Sequence, residues 1–204
     1  MPQKTNEREY RVLQPLSVPL TPDGRAIDTE YYTEGYATTY DTPYIMFEFD
    51  GIKYYEIVSR DALIGADMSD VIMQYDHCGH VYARNSNGTL LLRSDAKGLF
   101  IAADLSKSAG AKAMHEEIKA GLVTRMSWSF IVSTDSYNRD TRTRTILKIK
   151  KVYDVSAVSI PANDGTIITA RDYVNGVNDI IARESRQRQI DITQTLIKII
   201  IGGK

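Results

Sequence analysis

The chain has few of the residues and segments that mark several common protein classes. Its 204 residues include one cysteine, Cys78, so no intramolecular disulfide can form and we expect a reducing, intracellular setting. Residues 1–8 lack the apolar stretch of a secretory signal. The longest purely apolar run near the C-terminus, residues 199–201, is far shorter than the roughly 20 residues of a membrane-spanning helix. We therefore expect no membrane partner.

An excess of charge of either sign is also missing. Lys and Arg total 25 and Asp and Glu total 26, which leaves a net charge of -1. Because strong nucleic-acid binding needs a basic surface, we expect no nucleic-acid partner. The 43% hydrophobic content is enough for one sizeable core. We expect one domain over residues 1–169 and a C-terminal tail over residues 170–204, where isolated aliphatic residues alternate with charged and amide residues, typical of a helical or partly disordered segment.

The chain pattern is predominantly that of β-structure. Short runs rich in Tyr, Val, Ile and Phe are broken by Pro, Asp and Gly, which is typical of strands joined by turns. The predicted strands lie at residues 10–20, 31–40, 45–49, 53–58, 71–77, 89–93, 98–105, 122–132 and 146–160. The polar, Arg-rich residues 133–145 between the last two predict a loop or hairpin tip.

One helix is predicted over residues 109–120. Ser106 or Ser108 can cap its start, the segment consists of good helix formers, and Gly121 suits the position after its end. The helix leads directly into the predicted strand 122–132. That strand alternates, so one face carries large apolar residues that would anchor it, and Ser127 is expected to look out from the other face.

Three side chains in strand-like contexts predict serine hydrolase chemistry: His77, Ser127 and Asp154. A serine hydroxyl is a weak nucleophile until a histidine accepts its proton, and a carboxylate can fix the tautomer and orientation of that histidine. Taken singly, each residue is more often structural than catalytic. Their combination is informative because all three lie on predicted strands that could meet within one sheet or barrel.

Other residues compete for these roles. Ser129 shares a strand face with Ser127 and is the main rival nucleophile. Cys78 follows His77 directly, so on an extended strand the two side chains point to opposite faces and cannot pair. His77, Cys78 and His80 with Asp76 resemble a metal-binding group, but structural zinc sites usually draw paired ligands from two separate segments. We expect no metal ion and no cofactor.

Two common motifs are missing. No Gly-x-Ser-x-Gly sequence surrounds Ser127, which argues against an α/β-hydrolase. No glycine-rich sequence with phosphate-binding spacing is present, which argues against kinase or nucleotide-dependent chemistry.

Several motifs resemble those of a known family, the prohead proteases of tailed bacteriophages, which are related to the herpesvirus assemblins. The similarity runs through most of residues 32–164. The most specific stretches are Gly-Leu-Val-Thr-Arg-Met-Ser-Trp-Ser-Phe at residues 121–130 and Tyr-Asp-Val-Ser-Ala-Val-Ser-Ile-Pro-Ala at residues 153–162. Tyr-Asp-His at residues 75–77 resembles the catalytic histidine motif, and residues 87–92 and 97–105 resemble the paired strands that follow it.

The resemblance implies specific roles in the site. Ser127 rather than Ser129 would be the nucleophile, because the family pattern usually reads Met-Ser-aromatic-Gly-Phe and Ser129 stands in the place of the glycine. Asp154 stands where a glutamate is common, which shortens its reach to His77. His80 and His115 remain alternatives for the third member, because related viral proteases use a second histidine.

The resemblance also implies a fold and a biological role. The fold would be α+β and mainly β, a closed or partly open β-barrel flanked by a few helices and similar to the herpesvirus proteases. The activity would be that of a serine endopeptidase that cleaves scaffold or delta-domain segments of the major capsid protein, and itself, inside the procapsid in the host cytoplasm. A homodimer is one assembly that related proteases use. The alternative is a non-enzymatic capsid or scaffold binding module on the same fold.

Overall fold

The computed structural model describes residues 7–17, 24–49, 51–159, 182, 186–187 and 189–194, with the backbone alone for residues 12–17. The described chain is mainly β, as predicted. The strands are β1 (Glu9–Ser17), β2 (Tyr32–Thr39), β3 (Tyr44–Phe49), β4 (Ile52–Val58), β5 (Ile72–Tyr75), β6 (Cys78–Arg84), β7 (Leu90–Ser94), β8 (Gly98–Asp104), β9 (Arg125–Asn138) and β10 (Thr143–Val158). Within residues 7–159, one α-helix, α1 (Ala109–Lys119), and a short 3-10 turn at Asn85–Asn87 accompany the strands.

The strands form one branched sheet around the β9–β10 hairpin. The strand order is β3-β4-β10-β9-β1-β2-β8-β7, and β5 joins β10 and carries β6 on its other edge. The 16-residue strand β10 has two parallel neighbours, with β4 beside its first half and β5 beside its second half. The sheet therefore branches at β10, and β3 and β7, the ends of its main path, do not pair with each other within the described residues.

Of the predicted closed or partly open barrel, the closed form is therefore wrong for the described part of the chain, and the partly open form stays a prediction. The physical reason is the length of β10. One edge of this strand pairs with two different strands, β4 and β5, so the sheet branches there and does not close on itself. The similarity to herpesvirus proteases stays a prediction.

The β9–β10 hairpin is longer than the sequence pattern indicates. Residues 133–138 and 143–145, expected in a loop or hairpin tip, continue the antiparallel pairing, for example Ser136 with Thr145. Tyr137 in this extension packs against a small cluster of Met46, Phe47 and Tyr54 from β3 and β4. The polar residues thus form an arm of paired strands with alternating exposure.

Helix α1 confirms the helix prediction and selects one of its two expected caps. The Ser108 hydroxyl accepts a hydrogen bond from the Ala111 amide at 3.1 Å. Gly121 follows the helix with a φ of +74°, a left-handed conformation that glycine adopts without steric cost. The buried residues Ala111, Met114, His115 and Ile118 lie on one helical face.

The main core packs around β9, in the middle of the sheet. Trp128 and Phe130 are fully buried, with ring centroids 4.2 Å apart. Val152 and Val155 of β10 are buried in the same cluster. Large apolar side chains at alternating positions of β9, packed with Val152 and Val155 of β10, thus hold both strands at the centre of the sheet.

The predicted boundary between a domain at 1–169 and a tail at 170–204 lies outside the described residues and stays a prediction. The described residues of the tail are helical and exposed. Within the described residues, no helix combines the length and apolar character that spanning a membrane requires.

A buried ionic cluster joins β1, β4 and β10. Arg11 contacts Glu56 at 2.6 Å and Glu9 at 2.7 Å, and Arg144 contacts Glu9 at 2.5 Å and Glu56 at 3.0 Å. All four side chains are at most 6% exposed. Because a buried charge without a partner is costly, the two carboxylates and two guanidinium groups stabilise the fold only as a set.

This cluster predicts a loss of stability in acid. Burial raises the pKa of Glu9, but the Arg11 and Arg144 charges and hydrogen bonds outweigh burial and lower it from 4.5 to about 2. The ionised Glu9 therefore stabilises the folded state above the unfolded pKa, and this contribution is lost as the pH falls through the folded value. We expect the contribution of Glu9 to the free energy of unfolding, measured in urea, to fall by on the order of 3 kcal/mol between about pH 6 and pH 2.

The matched control is Glu9→Gln, which cannot ionise. Its unfolding free energy is expected to be lower at neutral pH and to change less over the same pH range. Equal pH dependence in the two proteins would contradict the role given to Glu9.

Candidate active site

His77 lies in the two-residue turn between β5 and β6. The strand predicted to include it ends earlier, at Tyr75. Asp76 and His77 have φ values of 46° and 59°, a left-handed conformation that costs non-glycine residues energy and that often occurs at functional sites. Asp76 fixes the turn. Its carboxylate accepts hydrogen bonds from the amide and the hydroxyl of Ser159, and its backbone amide donates a hydrogen bond to the Ala157 carbonyl.

Ser127 and Asp154 lie on the two central strands. In the β9–β10 pairing, Ser127 is opposite Ser156, and Ser129 is opposite Asp154. All four of these side chains belong to fully buried residues. Their positions are fixed by the strand register, which the apolar residues of the core set.

The structure brings His77, Ser127 and Asp154 together in one hydrogen-bonded chain. The Ser127 Oγ to His77 Nε2 distance is 2.6 Å. The His77 Nδ1 to Asp154 Oδ1 distance is 2.5 Å. With the serine hydroxyl donating to Nε2 and Nδ1–H donating to the carboxylate, the imidazole is oriented to accept the serine proton. The arrangement can therefore perform nucleophilic catalysis.

Asp154 accepts hydrogen bonds at both carboxylate oxygens. Its Oδ1 accepts from His77 and, at 2.7 Å, from the Ser156 hydroxyl, and its Oδ2 accepts from Ser129 and Arg8. Burial raises the pKa of Asp154, but the hydrogen bond and charge of His77 and the hydroxyl donors Ser129 and Ser156 together lower it. The carboxylate is thus held ionised beside the imidazole.

The rival residues have other contacts. Ser129 donates to Asp154 and accepts from Arg8, so among the described side chains it is a partner of the acid and not of His77. His80 is exposed on β6, and His115 is buried on α1 with its ring 5.4 Å from that of Tyr31. Cys78 is exposed, and its sulfur contacts the Tyr75 carbonyl.

The part of the chain that the structure describes contains no group of three or more His, Cys, Asp or Glu residues placed to hold a metal ion. His77, Cys78, His80 and Asp76, which resemble such a group in sequence, do not form one.

Two residues near the site were missed by sequence reasoning. The Tyr10 ring packs edge-on against the His77 ring, with centroids 4.7 Å apart and an interplanar angle of 71°. Arg8 reaches Asp154 and Ser129. Both come from the start of the chain, and no motif marks them. Only the pairing of β1 with β9, over a separation of more than a hundred residues, brings them to the site.

The expectation that Ser127 looks out from its strand is wrong. Ser127 is fully buried, and the His77 side chain is 11% exposed. Residues 126–132 are all buried, because β9 lies at the centre of the sheet and both of its faces are covered. A peptide carbonyl can therefore reach the Ser127 hydroxyl only after neighbouring groups move.

Comparison with known protein families gives a match over most of the chain. A family model described as caudovirus prohead serine protease matches residues 21–179, which is most of the chain and includes His77, Ser127 and Asp154. No curated protein and no solved structure matches the chain.

Proposed function

We propose, since the chain belongs to the caudovirus prohead serine protease family, that His77, Ser127 and Asp154 are the catalytic residues of this serine protease. Membership makes the protein a hydrolase of peptide bonds that acts in bacteriophage capsid maturation, with capsid protein as substrate and the procapsid within the host as its location. The observation that carries the residue assignment is the hydrogen-bonded chain from the Ser127 hydroxyl through His77 to Asp154.

In the proposed mechanism, His77 Nε2 accepts the Ser127 proton as Oγ attacks the peptide carbonyl carbon. Asp154 holds the Nδ1–H tautomer and stabilises the imidazolium that forms. The imidazolium then gives its proton to the departing amine, which leaves an acyl-enzyme on Ser127. Water, deprotonated by His77, hydrolyses the ester and restores the serine.

The buried position of Ser127 supports a resting state that must open before substrate binds. Water and peptide cannot reach a fully buried hydroxyl. We expect the isolated protein to cleave peptide bonds slowly. The protein packaged with capsid protein is expected to cleave them faster, because substrate binding would stabilise the open form.

The specific substrates are also proposals. We infer that the protease cuts scaffold or delta-domain segments from the major capsid protein and cuts itself. A homodimer, an assembly that related viral proteases use, and the expected absence of a nucleic-acid partner stay predictions. The tail at 170–204 is the proposed self-cleaved or targeting segment, because its composition differs from that of the domain. Since the family is a protease family, no observation favours the non-enzymatic binding module.

Co-expression of the chain with its capsid protein tests these proposals. Intact masses of both proteins in the assembled particles are expected to fall with time, as the capsid protein loses its scaffold or delta segment and the protease loses part of its tail. An unchanged capsid-protein mass in assembled particles would contradict the substrate. A cleaved capsid protein beside a protease of unchanged mass would contradict self-cleavage alone.

A further inference from the structure

The carboxylate of Asp154 has a cationic partner besides the histidine. The Arg8 guanidinium pairs with Oδ2, the oxygen on the other side of the carboxylate from His77. The same guanidinium donates from Nε and Nη2 to the Ser129 hydroxyl, at 2.9 and 2.8 Å, and Ser129 in turn donates to Oδ2. Arg8, Ser129 and Asp154 therefore form a closed triangle of hydrogen bonds.

The Arg8 side chain is held in place by aromatic rings. Its guanidinium carbon lies 4.5 Å from the centroid of the Tyr153 ring and 5.5 Å from that of Tyr10. Tyr153 precedes Asp154 on β10, and Tyr10 packs on His77. The planar guanidinium suits this position because it can stack on rings and form several directed hydrogen bonds at once, which a lysine ammonium cannot do in the same way.

Arg8 stands outside the stretch that matches the family, residues 21–179. It directly precedes β1, which lies between β9 and β2 and pairs Val12 with Ser127. The segment that carries Arg8 is therefore fixed to the strand of the nucleophile, although nothing in the family match requires it.

We propose that Arg8 is a positioning residue of the active site, which acts through Asp154 and Ser129 to hold the carboxylate in the orientation that fixes His77. This proposal rests on the proposed catalytic roles of His77, Ser127 and Asp154. Its physical basis is the cost of a fully buried carboxylate, whose ionised form needs charged and hydrogen-bonding partners to persist. Without Arg8, Ser129 would be the one partner of Oδ2 among the side chains that the structure describes, and the carboxylate would be less firmly oriented.

The test compares cleavage rates in particles co-assembled from full-length protease and capsid protein. Arg8→Ala is expected to slow cleavage by about 10- to 100-fold, the effect of losing one charge-assisted hydrogen bond. Arg8→Lys keeps the positive charge but not the planar guanidinium group, and its cleavage rate is expected to lie between those of Arg8→Ala and the wild type. Added methylguanidine is expected to accelerate Arg8→Ala and to leave the wild type unchanged.

The matched control is Arg60→Ala, which removes an arginine paired with Asp41 at the surface and should cleave at the wild-type rate. A wild-type rate for Arg8→Ala, or a slow Arg8→Ala that methylguanidine does not accelerate, would overturn the proposal.

The Ser127→Ala protein distinguishes a failure of the role proposed for Arg8 from a failure of the catalytic assignment. If Ser127→Ala is inactive and Arg8→Ala is normal, only the role of Arg8 fails. If Ser127→Ala cleaves normally, the catalytic assignment itself fails.

Discussion

Replacing Ser127 with alanine is expected to lower the rate of capsid-protein cleavage by about four to six orders of magnitude. The physical reason is that the substitution removes the atom that attacks the carbonyl, and no other described hydroxyl contacts His77 Nε2. The His77→Ala protein is expected to lose a similar factor, because the hydroxyl would then lack a base. The measurement is the mass of the capsid protein in assembled particles over time.

A serine elsewhere on the same strand provides the control. Ser136 is exposed in the outer part of β9 and pairs with Thr145, far along the strand from Ser127. Ser136→Ala should cleave at the wild-type rate and assemble normally. If Ser127→Ala retained more than about one hundredth of the wild-type rate, the serine would not be the nucleophile.

The second large effect is expected for Asp154→Asn, which should reduce cleavage by about 10⁴-fold. Asparagine keeps the shape of the side chain but offers one oxygen and one NH₂ group. Arg8 can only donate hydrogen bonds, so the amide oxygen is expected to face Arg8 and the NH₂ group to face His77. The imidazole would then carry its proton on Nε2, where it cannot accept the proton of Ser127.

Nitrogen NMR of the imidazole rings can measure this change directly. The chain has three histidines, so assignment of His77 needs only the separation of its signals from those of His80 and His115. We expect the Nδ1–H form in the wild type and the Nε2–H form in Asp154→Asn. Asp140→Asn, an exposed substitution near the β9–β10 turn, serves as the control and should change neither the tautomer nor the rate. An unchanged tautomer with normal cleavage in Asp154→Asn would contradict the role of the acid.

Local patterns predicted the elements of the fold well where neighbouring residues decide them. The alternation in β9 and the helix formers of α1 both depend on residues close in sequence. Strand β6 was missed because most of its residues are exposed, so no apolar alternation marks it. The closed form of the predicted closed or partly open barrel was wrong because long-range packing determines the partners of β10, and the pattern of one strand does not encode them.

Sequence reasoning named three residues that meet in the structure, but it did not predict the residues and burial around them. His77, Ser127 and Asp154 were named from the chemistry each side chain offers and from a family resemblance, and the structure brings all three together. The burial of Ser127 was not foreseen, because a serine on the polar face of an alternating strand is ordinarily exposed. Arg8 was not foreseen either, since its approach to Asp154 depends on the pairing of β1 with β9.

Covalent labelling of the nucleophile tests the central claim most directly. A fluorophosphonate probe, added to particles while they cleave their capsid protein, reacts with a serine that a histidine has activated. Peptide mass mapping of the protease is expected to find the adduct on Ser127 in the wild type and no adduct in His77→Ala. An adduct on Ser129 or on another serine, with Ser127 unmodified in particles that are cleaving, would contradict the account.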